Sequence, residues 1–330
     1  MDKNSSPRPS IKELPRNIWA VGLTSFFMDV SSEMVLNILP LFLANVLGVK
    51  TNIIGLIEGL AEATASILKL FSGWLSDKLG GRKWLAVTGY GLSAVLKPLF
   101  YFANTWGLVA GVRWADRVGK GIRTAPRDAL VADSVSKEAR GLAFGFHRAM
   151  DTAGAMLGIL IALLVVWLAQ KNTLQLAKPT FQTVVLISLL PAFLAVLSLI
   201  LGAKDVPAKG QRAAPRFSLR GMGKPFSIFL VIVSIFTLGN SADAFLVLRA
   251  QNLGISVTGI LIMLAMFNLI YSLVSTPAGR LSDRIGRRRL IIGGWLVYAA
   301  IYLGFALAQQ AWQIWLLYVA YGLYYGLAYG

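Results

Sequence analysis

The chain has 330 residues, of which 56% are hydrophobic and only 14% charged, and its mean hydropathy is +0.65. A soluble core cannot hide so much apolar surface, which excludes an ordinary globular enzyme and leaves helices bathed in lipid, each needing about 20 apolar residues to span. The formal charge of +17 invites nucleic acid only if it is clustered, while the absence of cysteine and a single histidine, His147, leave no disulfide framework, thiolate metal site or imidazole cluster.

In chain order, a polar, basic tail over residues 1–17 carries Lys3, Arg8, Lys12 and Arg16 and no signal-peptide cleavage pattern, so the first hydrophobic helix is expected to be a retained anchor. Apolar stretches follow at 18–45, 50–75, 84–102, 106–131, 143–168, 180–201, 225–248, 255–278, 290–309 and 312–330. Residues 18–201 thus predict a six-helix bundle. Residues 202–224 form a basic linker with Lys204, Lys209, Arg212, Arg216, Arg220 and Lys224, and 225–330 hold four more helices. The fold class is an all-α integral membrane protein.

A cytoplasmic N-terminus gathers 20 Lys and Arg on the cytoplasmic side, against Lys50, Lys171, Lys178 and Arg249 on the other, which fixes the orientation by the positive-inside rule. Basic residues scattered over short loops are topology signals that touch anionic lipids, and a nucleic-acid partner is set aside. No nucleotide-binding Gly-Lys loop and no nucleophile paired with a base is present, so neither catalysis nor primary pumping is expected, nor any cofactor or metal.

The two halves repeat. Gly73-Trp-Leu-Ser-Asp77-Lys-Leu-Gly80-Gly-Arg82-Lys83 returns as Gly279-Arg-Leu-Ser-Asp283-Arg-Ile-Gly286-Arg287-Arg288-Arg289, and Ser31-Ser32-Glu33 is echoed by Ser241-Ala242-Asp243. Duplicated helical bundles with sites at their interface are a transporter architecture.

Both loops resemble the G-x-L-x-D-(R/K)-x-G-R-(R/K) loop of the major facilitator superfamily, the first departing from it at Gly81. The stretch from Asp116 to Asp128, followed by Ala132-Asp133 and Glu138-Ala-Arg140-Gly141, is similar to a prokaryotic branch of that superfamily whose substrates are largely unassigned. The resemblance covers essentially the whole chain and implies a pseudo-symmetric bundle in a prokaryotic cytoplasmic (inner) membrane. It also implies six plus six helices against the six plus four found here. Helices 11 and 12 are expected to be missing, so that the chain is either a fragment or a natural truncation, completed by homodimerisation or inactive.

The resemblance makes Gly73, Asp77, Arg82, Lys83, Gly279, Asp283, Arg287 and Arg288 gating candidates, and places Arg113 where the family has its fourth-helix arginine, often linked to proton coupling. The fifth helix keeps Gly154 and Gly158 of an antiporter-type glycine pattern but has Ile159 in place of a proline, which weakens a drug-export assignment.

Inside the spans, eight acids balance eight bases. Arg113, Asp116, Arg117, Lys120, Arg123, Arg127 and Asp128 share one face of the fourth span on a helical wheel, and Asp29, Glu33 and Asn37 form a stripe in the first. An ionisable group in a span costs about 2.5–3.5 kcal/mol on insertion scales, so these groups are expected to pair or to face water. Depth along the helices predicts Glu33 near Arg117, Asp29 near Lys120 or Arg123, Asp151 at the inner end of the fourth-span stripe, and Glu58 or Glu62 near Lys97.

The resemblance places spans 1, 4, 7 and 10 around a central cavity. That makes Asn37, Asp116, Arg117, Lys120, Arg123, Asn240, Asp243, Tyr318, Tyr321 and Tyr325 its candidates, with Asp29, Glu33, Asp151 and Arg113 as candidates for proton coupling. The cations of the fourth span favour a carboxylate or phosphate on the solute, unless the acids occupy them fully and they merely hold the bundle closed. The tyrosine stripe of the last span serves either stacking on a solute or packing, and His147 fits a structural role better than a relay. The expected function is secondary transport of a small polar or anionic solute by alternating access, coupled to protons and slightly favouring efflux of a metabolite or drug. The alternatives are an organic-anion uptake permease and a non-transporting receptor-like or remnant membrane protein.

Overall fold

The computed structural model describes residues 10–206, 223–285 and 287–329, and within these no side chain of 238, 276–291 or 328–329. The helices are α1 (Arg16–Leu36), α2 (Thr51–Leu79), α3 (Lys83–Leu96), α4 (Trp106–Asp133), α5 (Arg140–Gln170), α6 (Lys178–Gly202), α7 (Gly223–Leu238), α8 (Asp243–Asn252), α9 (Val257–Ile285), α10 (Arg287–Leu307) and α11 (Ala311–Tyr329). They follow the predicted stretches in order, with one correction. The stretch 225–248 is not continuous: it breaks at residues 239–242 into α7 and α8. Gly239-Asn-Ser-Ala holds few side chains that favour a helix, and the break sets the polar Asn240 and Asp243 at a cavity wall.

By length and apolarity alone, Arg16–Val46, Arg140–Gln170, Lys178–Gly202 and Val257–Ser275 suffice to cross a membrane. The other rods are short, as α3 is, or carry several ionisable groups, as α2 and α4 do, of which Glu58, Arg113, Asp116, Arg117 and Arg123 are buried against neighbours.

In the first half α1 packs on α5 and α6, while α4 packs on α2 and α3. Glycine makes the α1–α5 contact possible: a Cβ at Gly158 would stand 2.5 Å from the Val30 carbonyl oxygen, and one at Gly154 would overlap that of Phe26. In the second half α9 packs on α11, which also meets α10, and α5 meets α9 across the two halves.

The apolar core has two parts. The larger draws on both halves at the end away from the N-terminus, joining Phe42, Ile54 and Phe181 to Val247, Leu261 and Tyr318. The smaller, around Ile18, Met28, Tyr90 and Leu199, belongs to the first half alone and lies toward the N-terminal end. A polar belt reinforces the larger part. Asn45 and Gln251 exchange amide hydrogen bonds of 3.0 and 2.8 Å, and Gln251 also donates to the Leu174 carbonyl at 2.6 Å. Thr258 donates to the carbonyl of Lys171 at 2.6 Å, and the Val257 N–H to that of Thr173 at 3.1 Å. Among the described residues, the further side-chain hydrogen bond between the halves is Arg148 to the Tyr271 hydroxyl, 2.7 Å. The halves are therefore sealed at one end around an internal space.

Candidate functional site

Below the belt lies a cavity of about 610 Å³, walled by α1, α2 and α4 from one half and by the 239–242 break, α8, α9, α10 and α11 from the other. Its ionisable lining is Glu33, Glu58, Glu62, Arg113, Arg117 and Asp243. Asn37, Asn240, Tyr318, Tyr321 and Tyr325 also line it, whereas Asp116 sits behind Arg113, 3.7 Å from its guanidinium, and does not.

The arginines are held by α2. Arg113 Nη2 stands 2.6 Å from Glu58, Arg117 Nη2 stands 2.7 Å from Glu62, and Arg113 reaches Glu62 at 4.0 Å. Glu58 and Glu62 are four residues apart, as are Arg113 and Arg117, so two helices running the same way match rung for rung. This corrects two expected pairings. Lys97 meets no Glu; its ammonium donates to Ser31 at 2.5 Å and Ser32 at 3.4 Å. Glu33 meets Asn37, 2.9 Å from its amide, rather than Arg117. Helical rise ranks side chains by height along the bundle, but rotation about each helix axis decides which neighbour a side chain faces.

A second chamber of about 270 Å³ lies closer to the N-terminal end, lined by Asp29, Tyr90, Lys120, Arg123, Arg127, Arg148, Asp151 and Tyr271. Asp29 thus shares a chamber with Lys120 and Arg123, and Asp151 with Arg127. The fourth-span stripe is divided between the two spaces, and Asn268 borders both. Arg123 donates to Ser93 Oγ at 2.7 Å and lies over the Tyr90 ring, 4.5 Å from its centroid. His147 is buried, 2.8 Å from Ser25 Oγ and 3.7 Å from Asp151, a setting that suits a structural histidine.

In the second half, Tyr321 donates to Asp243 at 3.1 Å, Ser241 donates to the Tyr302 hydroxyl at 3.2 Å, and rings of Phe267, Tyr298, Tyr318 and Tyr325 surround Tyr321. Phe267, Asn268 and Tyr298 were not foreseen. Helical spacing in α9 and α10 was the available signal, but those spans carry little charge to mark a polar face.

The first repeated loop is a closed cluster. Gly80, at φ 66°, ends α2 in the left-handed conformation that glycine adopts without strain. Arg82 then reaches Asp77 at 2.9 Å, Asp133 at the end of α4 at 2.7 Å, and Ser76 at 3.0 Å. Asp205, not singled out from the sequence, accepts from the backbone N–H groups of Arg82 and Lys83 at 2.9 and 3.3 Å, and Lys83 Nζ donates to the Ile200 carbonyl at 2.7 Å. Gly73 packs on Ala125 of α4. Gly279, Asp283, Arg287 and Arg288 of the second loop lie outside the residues whose side chains are described.

Comparison with known proteins agrees with this architecture. The Major Facilitator Superfamily sequence model matches residues 21–330. An uncharacterized MFS-type transporter of Methanocaldococcus jannaschii is 36% identical over 96% of this chain and 78% of its own length. The multi-drug resistance efflux pump PmrA of Streptococcus pneumoniae is 26% identical over 93% of this chain and 77% of its own. Among solved structures, a bacterial homolog of the human lysosomal transporter Spinster, inward-facing and occupied, superposes with a TM-score of 0.70 at 16% identity, over 99% of this chain and 74% of that one.

Proposed function

The chain belongs to the major facilitator superfamily, and from that premise we propose that it carries a small polar or anionic solute across a prokaryotic cytoplasmic membrane by alternating access, coupled to protons. The observation that carries this reading is the charged cavity between two halves that meet at one end. With the N-terminus cytoplasmic, as the basic loops favour, the sealed end faces outward and the cavity communicates with the cytoplasm. That is one extreme of an alternating cycle.

The second chamber favours an anionic group on the solute, because Lys120, Arg123, Arg127 and Arg148 line it against Asp29 and Asp151. Export is the favoured direction, in keeping with the efflux pump at 26% identity. Solute and protons are the partners of this cycle, in which no bond is made or broken, and anionic lipids border the basic loops. Asp77, Arg82 and Lys83 act as an inner gate in which the ion pairs of Arg82 with Asp77 and Asp133 form and break with each cycle, a role that the repeated motif extends to Asp283, Arg287 and Arg288.

A carboxylate that couples protons must change ionisation as its surroundings change, and Asp29 and Glu33 occupy the two chambers four residues apart on one helix. In proteoliposomes with an imposed pH gradient and a panel of radiolabelled small organic acids, Asp29→Asn or Glu33→Gln is expected to abolish gradient-driven accumulation while sparing solute exchange. Full accumulation in both variants would remove proton coupling from the account.

A further inference from the structure

The two chambers carry opposite charge. The larger has four carboxylates, Glu33, Glu58, Glu62 and Asp243, against two guanidiniums; the smaller has four cations against two carboxylates. Both arginines of the larger chamber are already engaged by Glu58 and Glu62, so Glu33 and Asp243 are its surplus, each in contact with a neutral donor: Asn37 for Glu33 and Tyr321 for Asp243. In the smaller chamber Lys120, Arg123 and Arg148 form no salt bridge with a carboxylate among the described residues, and Arg148 donates instead to a tyrosine hydroxyl.

Tyr321, the donor to Asp243, sits among aromatic rings that line the same chamber, a combination that suits an ammonium group, since ring faces and a carboxylate both attract it. The larger chamber also holds a polar atom without a partner: the Tyr318 hydroxyl is buried with no hydrogen bond, and its oxygen can accept from an ammonium. Unsatisfied buried groups at a cavity wall point to a ligand that completes them.

We propose that the solute is dipolar: an organic zwitterion whose ammonium end occupies the larger chamber at Glu33 and Asp243, and whose acidic end occupies the smaller at Lys120 and Arg123. Along α1 the step from Glu33 to Asp29, which lines the smaller chamber with Lys120 and Arg123, is about 6 Å at 1.5 Å per residue, which sets the charge separation that fits best. This deepens the transport reading above and rests on it for the route, but the charge preference is a property of equilibrium binding and is measured without transport.

The test is thermal stabilisation of the purified full chain in detergent by three probes of similar length: aminohexanoate, hexylamine and hexanoate. Aminohexanoate is expected to bind about tenfold more tightly than either single-ended compound, a charge-assisted contact at each end supplying the difference. Glycine, whose charges are too close to reach both chambers, is expected to bind like a single-ended compound. Joint Glu33→Gln and Asp243→Asn should reduce aminohexanoate to the level of hexanoate, and joint Lys120→Gln and Arg123→Gln to the level of hexylamine. Aminohexanoate binding no better than the single-ended probes, or not at all, would overturn the proposal. The wild-type comparison alone decides this if a variant fails to fold. Failure of the transport reading shows separately, as an unchanging rate of maleimide labelling at Ala250→Cys.

Discussion

Arg113→Leu is expected to destabilise the protein by about 3–5 kcal/mol, the cost of leaving buried carboxylates without their cation, with most of that loss restored by adding Glu58→Leu. Arg113 is 4% exposed, stands 2.6 Å from Glu58, and has Asp116 at 3.7 Å and Glu62 at 4.0 Å. Its removal takes the nearest cation from Glu58 and Asp116, while Glu62 keeps Arg117. Glu58→Leu alone should cost less, because Arg113 keeps Asp116 and Glu62. The three melting temperatures in detergent therefore fall in the order wild type, Glu58→Leu, Arg113→Leu, and the double variant lies above Arg113→Leu. A double variant no more stable than Arg113→Leu would show that the pair does not act as a unit.

The second large effect concerns the belt at the sealed end. The reciprocal amides of Asn45 and Gln251 tie the first half to the second, and Gln251 also holds the Leu174 carbonyl. Alternating access requires these bonds to part on each cycle. The native chain has no cysteine, so Asn45→Cys with Gln251→Cys gives a clean pair of thiols. Joining them with a short, reducible bifunctional reagent is expected to abolish transport in proteoliposomes, and reduction to restore it. Undiminished transport in the cross-linked protein would mean that the belt stays closed throughout. The two losses differ in kind: the first is of stability, the second of motion with the fold intact.

Much of this was legible in the residues. Uninterrupted apolar runs betrayed the helices because lipid demands them, and the repeated Gly-x-Leu-x-Asp loop betrayed the duplication. Helical rise puts Asp29 level with Lys120 or Arg123, and the three line one chamber. The partners of Glu58, Glu62 and Lys97 did not follow, because rise fixes height along the bundle while packing fixes rotation. The break between α7 and α8 was hidden by the apolar run around it, although Gly239-Asn-Ser was a turn signal available to a closer reading. Asp205 went unnoticed for another reason: it works by accepting from backbone N–H groups, and backbone donors leave no mark on a sequence.

The central claim, that the sealed end opens in turn with the other, is tested most directly at Ala250, buried beside the belt on α8. Ala250→Cys changes little in volume and introduces a lone thiol. In proteoliposomes, its labelling by a membrane-impermeant maleimide added from the side that the belt faces is predicted to be slow at rest. Solute supplied with a pH gradient is predicted to accelerate it severalfold. A labelling rate that stays the same under every condition would contradict alternating access and leave a bundle that does not cycle.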